Sequence, residues 1–422
     1  MLRTLWLLLA LTGLAFAQQS PATVPTTAAT PALSSDRLTR LDRLLQQYVD
    51  QGQIAGAVAL VLRDGKPIYE RAMGWSDKEA GRKMTTRTLF RIASQTKAIT
   101  STAILALVED GKIGINEPVG NFIPTFKKTT VASKDESGAA RIVPAKRAIT
   151  IADLLTHTSG ISYGRENQIA AMYEAKGLGP AAGNGWYTAD KDEPVCDTME
   201  RLGTLPFVSQ PGEAFVYGYS TDILGCVVEK ASGMPLDDFV RKRITDPLGL
   251  KDTRFFVPPA ERDRLASVYA SGADRKIVRA PEGSAGQGSY VDGPRKNFSG
   301  GAGLTSTARD YARFLEMIRN GGALGGARIL APRTVALMTT NQSGMLHSST
   351  GLGFGFGFQT VDRYGASGMA AIGAFGWGGA YGTIYQVDPK SRMVVVLMLQ
   401  MMPNATDFQP KFMTSVYQSL VD

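Results

Sequence analysis

The order of β-prone and helical segments is the feature that most limits how this chain can fold. Near the start, the β-prone runs 55–62 and 67–72 flank an Asp-Gly pair at 64–65, a pair typical of hairpin turns. Near the end, residues 383–387 and 393–401 are two more such runs, whereas the centre is mostly helical and rich in loops. We therefore predict an α+β fold whose α/β region is discontinuous and is completed by both ends of the chain.

Apolar residues at helical spacing predict the helices around this sheet. Residues 36–53 place leucines on one face behind a Ser/Asp start signal. Further helices are predicted over 94–109, 307–320 and 409–421. Residues 353–361 alternate glycine with three phenylalanines, which predicts one strand with three rings on the same face. Residues 163–195 show little periodicity and are predicted to form a long loop region.

The first residues predict export. Residues 1–17 combine Arg3, the apolar run 5–16 and a small-x-small ending at Ala17, which is the pattern of a secretory signal peptide. A membrane anchor needs about 20 apolar residues, and this run is shorter. Residues 18–35 are dominated by Ser, Thr, Pro and Ala, a composition typical of a flexible tether. We expect a secreted or periplasmic protein, cleaved near Ala17, with no stable membrane span.

Residues 36–422 are predicted to form a single domain, with an α/β region at 36–120 and 300–422 and a helical region at 121–299. Hydrophobic residues make up 44% of the chain and charged residues 20%, which is enough to bury a large core. The formal charge of +8 is spread along the chain, so we expect no nucleic-acid partner. With two histidines, zinc sites built on several histidines are disfavoured.

The two cysteines, Cys196 and Cys226, leave two interpretations open. An exported protein can form a disulfide between them. Cys226, however, stands at an apolar helical position, which favours a small buried core residue over a disulfide partner.

Residues 94–97 read Ser-Gln-Thr-Lys and stand where an extended run turns into a helix. Residues three apart share one helix face, so the amine of Lys97 can reach the hydroxyl of Ser94. Burial at a helix start favours the neutral amine, which can accept the serine proton, and the helix N-terminus offers amides to a developing oxyanion. Ser94 is thus a candidate nucleophile and Lys97 its base. By itself the spacing also suits a capping serine followed by a solvated lysine.

Five segments in order carry a resemblance to a known family: RIASQTK (91–97), LLTHTSG (154–160), YGYSTDILG (217–225), GLTSTA (303–308) and GWGGAYGT (376–383). Together they resemble the serine β-lactamase and penicillin-binding superfamily, above all the family VIII carboxylesterases, which are similar to class C β-lactamases. The resemblance implies an antiparallel sheet flanked by helices, a mostly helical region beside it, and a site in the cleft between them. It also implies a serine hydrolase that needs no metal or other cofactor.

The resemblance implies a role for Tyr217, the tyrosine of the family's second motif. Its phenol would carry the proton of Ser94 between Lys97 and the leaving group, and would later activate the water that removes the acyl group. Without the surrounding motif, a half-buried structural tyrosine would be the simpler interpretation.

The third motif is Trp377-Gly378-Gly379-Ala380, where penicillin-binding enzymes carry Lys-Thr-Gly or a related sequence. The resemblance implies that the backbone N–H of Ala380 is the second oxyanion donor beside that of Ser94. The two glycines would let a substrate approach the backbone closely.

Two departures from the β-lactamase pattern bear on the substrate. Tyr219 replaces an asparagine that holds the substrate amide, and Trp377 replaces a cation that binds the substrate carboxylate. A Trp instead offers an apolar wall. We expect a small or short-chain acyl ester as substrate. The alternatives are a β-lactam or D-alanyl-D-alanine peptide, and a non-catalytic envelope protein; the oligomeric state stays open.

A rival motif, Gly160-Ile161-Ser162-Tyr163-Gly164, fits the G-x-S-x-G pattern of α/β-hydrolases, with Ser162 as nucleophile. That pattern needs a strand before the serine, whereas 149–156 is predicted to be a short helix capped by Thr150. It also needs a downstream histidine, and the one that follows, His347, stands in a polar segment. We expect His157 to be a structural residue in a tight turn.

Overall fold

The structure is a computed structural model that describes residues 34–134, 140–179 and 187–421. The predicted signal peptide and almost all of the predicted tether lie outside the described residues. The helices are α1 (Ser35–Asp50), α2 (Thr96–Glu109), α3 (Ile151–Leu155), α4 (Ala170–Glu174), α5 (Val195–Leu202), α6 (Ser220–Ser232), α7 (Leu236–Val240), α8 (Asp246–Leu248), α9 (Ala308–Arg319), α10 (Pro332–Met338) and α11 (Phe408–Gln418).

The strands are β1 (Gly56–Arg63), β2 (Lys66–Asp77), β3 (Arg82–Lys83), β4 (Phe90–Arg91), β5 (Thr130–Lys134), β6 (Ala140–Pro144), β7 (Pro206–Phe207), β8 (Tyr269–Ser271), β9 (Ile277–Arg279), β10 (Thr305–Ser306), β11 (Ala323–Leu324), β12 (Ala327–Arg328), β13 (Leu352–Phe354), β14 (Gln359–Val361), β15 (Phe375–Gly378), β16 (Ile384–Asp388) and β17 (Met393–Met398). In the described part of the chain, no helix is long and apolar enough to cross a bilayer.

One large antiparallel sheet has the order β13-β14-β15-β16-β17-β1-β2-β3. Its central pair joins the two ends of the chain, with Val58 opposite Met398. This pairing confirms the predicted α+β fold class. The predicted hairpin is also present, and Asp64 and Gly65 both adopt positive φ values, of 49° and 72°, as a two-residue hairpin turn requires.

The sheet is covered on both faces, which explains why β1 and β17 are entirely buried. On one face, alternate residues such as Ala59 pack with apolar residues of α1 and α11. On the other, residues such as Leu60 pack with α2, α9 and the helices of the central region. Because both faces are apolar, these strands are continuous hydrophobic runs rather than alternating ones.

The segment 353–361 differs from the prediction of a single strand. It forms a hairpin, β13 and β14, whose turn contains Gly357 at a φ of +89°. The ring of Phe354 therefore lies 5.4 Å from Trp377, whereas Phe358 packs 4.9 Å from Phe375. Alternating glycine and phenylalanine is compatible with a single strand and also with a hairpin whose turn contains glycine. The pattern alone therefore could not distinguish these two structures.

Cys196 of α5 and Cys226 of α6 form a disulfide, which corrects the preference for a free core cysteine. Both residues are buried, as the apolar position of Cys226 indicated. The periodicity of one helix cannot show which neighbour packs against it, and here α5 lies beside α6. The two Cα atoms are 4.9 Å apart, within the usual disulfide range.

We expect this disulfide to stabilise the protein. The variant Cys196→Ala/Cys226→Ala should lose about 3 kcal/mol of unfolding free energy, because the closed loop of 30 residues limits the unfolded chain. Urea denaturation of both proteins measures the difference. A reducing agent should lower the stability of the wild type and leave the variant unchanged; two free thiols in the folded wild type would contradict the assignment.

Candidate active site

Ser94 lies in a tight turn that joins β4 to α2. The turn is a 3-10 segment, Ala93–Gln95, and Ala93 has a φ of +41°, a strained value for a residue with a side chain. The backbone N–H of Ile92 donates to the carbonyl of Leu304 at 3.1 Å, which ties the turn to the strand segment beside it. As a result Ser94 is partly exposed while its neighbours on both sides are buried.

Lys97 is buried directly behind Ser94, with 1% of its surface exposed. Its Nζ lies 3.3 Å from the Ser94 Oγ, 3.2 Å from the Tyr163 hydroxyl and 2.9 Å from the Gly301 carbonyl oxygen. The ring of Tyr217 lies 4.7 Å from the same nitrogen, close enough for a cation–π contact. Ser94 and Lys97 thus have the spacing that the one-turn separation predicted.

Tyr217 lies in the same cluster but contacts Lys97 through its ring face. Its hydroxyl oxygen accepts a hydrogen bond of 3.1 Å from the indole N–H of Trp377. Tyr217 of the second motif and Trp377 of the third are 160 positions apart in the chain, and the fold brings them into contact as the motifs suggested. The phenol proton of Tyr217 is not used in that bond and can point into the cleft.

Tyr163 is the site residue that the sequence analysis missed. Its hydroxyl, rather than that of Tyr217, is within hydrogen-bonding distance of Lys97. Burial, with Tyr217 and Asp222 nearby, raises the pKa of Tyr163 well above its ordinary value, so the phenol stays protonated at neutral pH. The residue follows Ser162 in the rejected motif, and its sequence context carried no separate signal.

Tyr219 is placed differently from the substrate contact predicted for it. Its side chain is fully buried, its hydroxyl accepts the backbone N–H of Gly179 at 3.0 Å, and its ring lies 4.9 Å from that of Tyr163. The buried ring of Tyr219 therefore packs against the ring of Tyr163 and helps to hold it in place. Direct contact between Tyr219 and a substrate stays a prediction.

The third motif ends next to the Ser94 turn. Gly378 ends β15, and the N–H of Gly379 donates to the carbonyl of Thr383. A Cβ on Gly379 would lie 2.4 Å from the backbone oxygen of Ile92, so only glycine permits this approach. Ala380 follows directly, which places its backbone close to the Ser94 turn, where the predicted oxyanion donor is needed.

An aromatic wall lines the cleft beside Tyr217. It consists of Trp377, Phe354, Phe215 and His347, with ring centroids 4.4 to 6.2 Å apart between neighbours. The wall is apolar except for the imidazole, whose Nε2 contacts the Gln359 amide at 2.8 Å. Phe354 is buried, so the partly exposed Trp377 and Phe215 form the surface available to a neutral, apolar group of a ligand.

Ser162 has neither the local structure nor the partners of a nucleophile elbow. The helix α3, capped by Thr150, precedes it instead of a strand. Its hydroxyl donates to the Glu166 carboxylate at 2.6 Å and accepts from the N–H of Gly164. Both bonds hold the loop that carries Tyr163, which makes Ser162 a structural residue.

His157 is fully buried and adopts a positive φ of 57° in the turn after α3. Its ring packs 4.6 Å from Tyr217. Burial, and secondarily the charge of Lys97, lower the pKa of His157 well below its ordinary value of 6.5. A neutral imidazole in this position supports Tyr217 by packing.

Comparison with known proteins agrees with this geometry. The sequence profile of the Beta-lactamase family matches residues 41–415. The chain is 34% identical to esterase EstB of Burkholderia gladioli over 375 residues, 85% of this chain and 89% of EstB. It is 28% identical to a putative D-alanyl-D-alanine carboxypeptidase of Escherichia coli O157:H7 over 404 residues, 91% and 86% of the two chains. The solved structure of EstCE1, a hydrolase with promiscuous acyltransferase activity, superimposes with a TM-score of 0.76 at 26% identity and covers 91% of this chain and 98% of EstCE1.

The buried imidazole predicts a loss of stability on acidification. Because the native pKa of His157 lies below that of the unfolded chain, the unfolded state binds the proton first as pH falls below 6.5. The contribution of His157 should be complete above pH 7 and should fall by about 1.4 kcal/mol per pH unit below 6.5. Urea denaturation at pH 7, 6 and 5 measures it.

His157→Asn is the matched variant, because asparagine tolerates a positive φ and does not titrate. The difference in stability between wild type and variant should shrink as pH falls from 7 to 5. A difference that is constant across this range would show that His157 does not titrate as the buried position predicts. His347→Asn serves as the control at the other, half-buried histidine, whose pKa burial lowers less.

Proposed function

We propose, from the premise that this chain belongs to the β-lactamase family of serine hydrolases, that it is an exported esterase acting on small neutral acyl esters. The observation that carries this proposal is Trp377, whose indole N–H binds the Tyr217 hydroxyl beside the Ser94–Lys97 pair. By the resemblance to the β-lactamases, this apolar ring stands at the motif position where those enzymes carry a cation that binds the substrate carboxylate.

The first half of the reaction is acylation of Ser94. Lys97, as the neutral amine, takes the proton of the Ser94 hydroxyl, and the Oγ attacks the ester carbonyl. The carbonyl of Gly301 can only accept a hydrogen bond, so it holds one N–H of Lys97 in either protonation state, and the single lone pair of the neutral amine is left for the Ser94 hydroxyl. The backbone N–H groups of Ser94 and Ala380 stabilise the oxyanion.

Acylation is completed when the tetrahedral intermediate collapses and the alcohol leaves with the proton of the Tyr217 hydroxyl, which is directed away from Trp377. In the second half a water molecule gives a proton to the Tyr217 phenolate and attacks the acyl group, and the Ser94 oxygen leaves with the proton held by Lys97. Tyr163 connects to Lys97 at 3.2 Å. We assign proton delivery to Tyr217 and orientation of the Lys97 amine to Tyr163.

The substrate class follows from the aromatic wall. An ester with an apolar acyl or alcohol group can pack against Trp377, whereas a carboxylate there would lose its hydration without gaining a charged partner. Both EstB and EstCE1 are named for esterase or hydrolase activity, which supports an ester substrate. The gene product would act outside the cytoplasm if the predicted signal peptide is cleaved near Ala17.

A second candidate is hydrolysis of β-lactams or D-alanyl-D-alanine peptides, which the similarity to a putative carboxypeptidase supports. The same Ser94, Lys97 and Tyr217 would perform the acylation. A panel of a short-chain p-nitrophenyl ester, nitrocefin and a D-alanyl-D-alanine peptide decides between the two. Turnover of nitrocefin or the peptide comparable to that of the ester would favour this candidate.

Ser94 is expected to be essential for ester hydrolysis. Ser94→Ala should reduce kcat/KM for p-nitrophenyl acetate by at least about 10³-fold, because the nucleophile is lost. A fluorophosphonate probe should add one adduct to the wild type, at Ser94, as seen by intact-mass and peptide mass spectrometry.

Ser162→Ala is the matched control and should retain most of the turnover and the label. Loss of activity in Ser162→Ala with survival in Ser94→Ala would reverse the assignment. A wild-type protein that takes up no label would instead favour a non-catalytic binding protein.

Trp377 is expected to determine the preference for neutral esters. Trp377→Lys restores a cation beside the site, so it should lower kcat/KM for an apolar ester by about tenfold and raise the ratio of nitrocefin to ester turnover. Steady-state kinetics on both substrates measure this ratio. Trp377→Phe keeps an apolar ring and should leave the ratio near that of the wild type; an unchanged ratio in Trp377→Lys would argue against the role of Trp377.

A further inference from the structure

Asp222 is a buried carboxylate that the reaction described above does not use. It lies in the first turn of α6 and is fully buried. Its Oδ1 accepts hydrogen bonds from the Ser299 hydroxyl at 2.6 Å and from the N–H of Gly301 at 3.0 Å. In the described structure its Oδ2 has no hydrogen-bond partner. A buried charge without full compensation is costly, so its presence next to the site needs a reason.

The position of Oδ2 also restricts the neighbouring loop. A Cβ added to Gly301 would lie 2.4 Å from this oxygen, so any side chain at 301 would displace the carboxylate or the loop. The loop is thus shaped to bring its backbone against Asp222.

A chain of hydrogen bonds leads from Asp222 to Lys97. The Ser299 hydroxyl, which donates to Asp222, accepts the N–H of Ala302 at 3.1 Å. That N–H belongs to the same planar peptide as the Gly301 carbonyl, and the two groups point in opposite directions. Because Ser299 holds one end of the peptide, the Gly301 oxygen at the other end is directed at the Lys97 Nζ, 2.9 Å away.

This chain of hydrogen bonds transmits polarisation from Asp222 as well as fixing the orientation of its groups. A carboxylate polarises the hydroxyl that donates to it, and each later group in a low-dielectric chain is polarised in turn. The Gly301 oxygen thereby becomes a stronger acceptor for an ammonium. Among the described residues, no carboxylate accepts a hydrogen bond from Lys97 directly, so this relay is its link to an anion.

We propose that Asp222 is a positioning residue that serves as the counter-charge of Lys97 through Ser299 and the Gly301–Ala302 peptide. It stabilises the ammonium that forms when Lys97 takes the Ser94 proton, and it fixes the direction of the amine. This inference rests on the proposed function, in which Lys97 is the base of acylation.

The groups that face Lys97 set the expected pH dependence. They are the phenols Tyr163 and Tyr217, the neutral His157 and, through the relay, Asp222. Burial raises the pKa of Asp222, and the charge of Lys97 and the hydrogen bonds from Ser299 and Gly301 oppose that rise. Of these groups only Asp222 is a carboxylic acid, so the negative charge that the relay can offer to Lys97 is that of its ionised form.

The test is the rate at which a fluorophosphonate probe labels Ser94, measured from pH 5 to pH 10 by intact-mass spectrometry. Asp222→Asn keeps the Oδ1 acceptor and removes the charge. The neutral amine is then favoured, so the acid limb of the profile should move to lower pH by about one unit. The plateau rate should fall about tenfold, because the ammonium formed in the reaction is less stabilised.

Ser299→Ala interrupts the relay without touching the carboxylate and should move the acid limb in the same direction by a smaller amount. The two shifts should not add in the double variant, because both changes act on one chain of bonds. Thr100→Val is the matched control: the Thr100 hydroxyl donates to the neighbouring Gly300 carbonyl at 2.8 Å and lies outside the relay, so the profile should keep its wild-type midpoint.

An Asp222→Asn profile with the wild-type midpoint, whatever its plateau, would overturn the counter-charge role and leave Asp222 as a structural residue. A shift of equal size in Thr100→Val would overturn it as well. A wild-type protein that takes up no label at Ser94 would overturn the proposed function, and this inference with it. If Asp222→Asn fails to fold, the Ser299→Ala profile decides the question.

Discussion

The pairing of β17 with β1 is the contact on which the rest of this structure depends. It joins a strand near the C-terminus to one near the N-terminus, with Val58 opposite Met398. β15 is placed by its pairing with β16, and β16 by its pairing with β17. The end of β15 then meets the Ser94 turn, where Gly379 approaches the Ile92 oxygen. The nucleophile and its proposed oxyanion donor thus come together only when the two chain ends have paired.

The burial of Lys97 is the second constraint, and it shapes the surroundings of the nucleophile. An amine with 1% exposure must find acceptors from the protein, and they come from three places in the chain: Ser94 one turn away, Tyr163 and Gly301. Each contact serves a different purpose. Ser94 is the proton donor of the proposed reaction, Tyr163 orients the amine, and Gly301 links it to the buried Asp222. A base held by fixed groups needs little rearrangement when charge develops.

Local patterns predicted much of the fold and part of the site. The Asp64-Gly65 hairpin, the Thr150 cap and the helix after Ser94 follow from turn chemistry and apolar periodicity, which act over a few residues. The prediction of a single strand over 353–361 was wrong, because an alternation with a period of two also arises in a hairpin with a glycine turn. The disulfide was missed because helical periodicity indicates burial without indicating the neighbouring helix.

By itself, the sequence determined that Ser94 and Lys97 face each other, because residues three apart on a helix share one face. It also placed Trp377 in the third motif, at the position where the resemblance to the β-lactamases implies a cation. Only the tertiary structure decided that Tyr163, 66 residues from Lys97, contacts the amine, and that the Gly301 carbonyl, 204 residues away, holds it. Those contacts join separate loops. Their geometry depends on how the buried helices and the sheet pack, and no spacing along the chain encodes that packing.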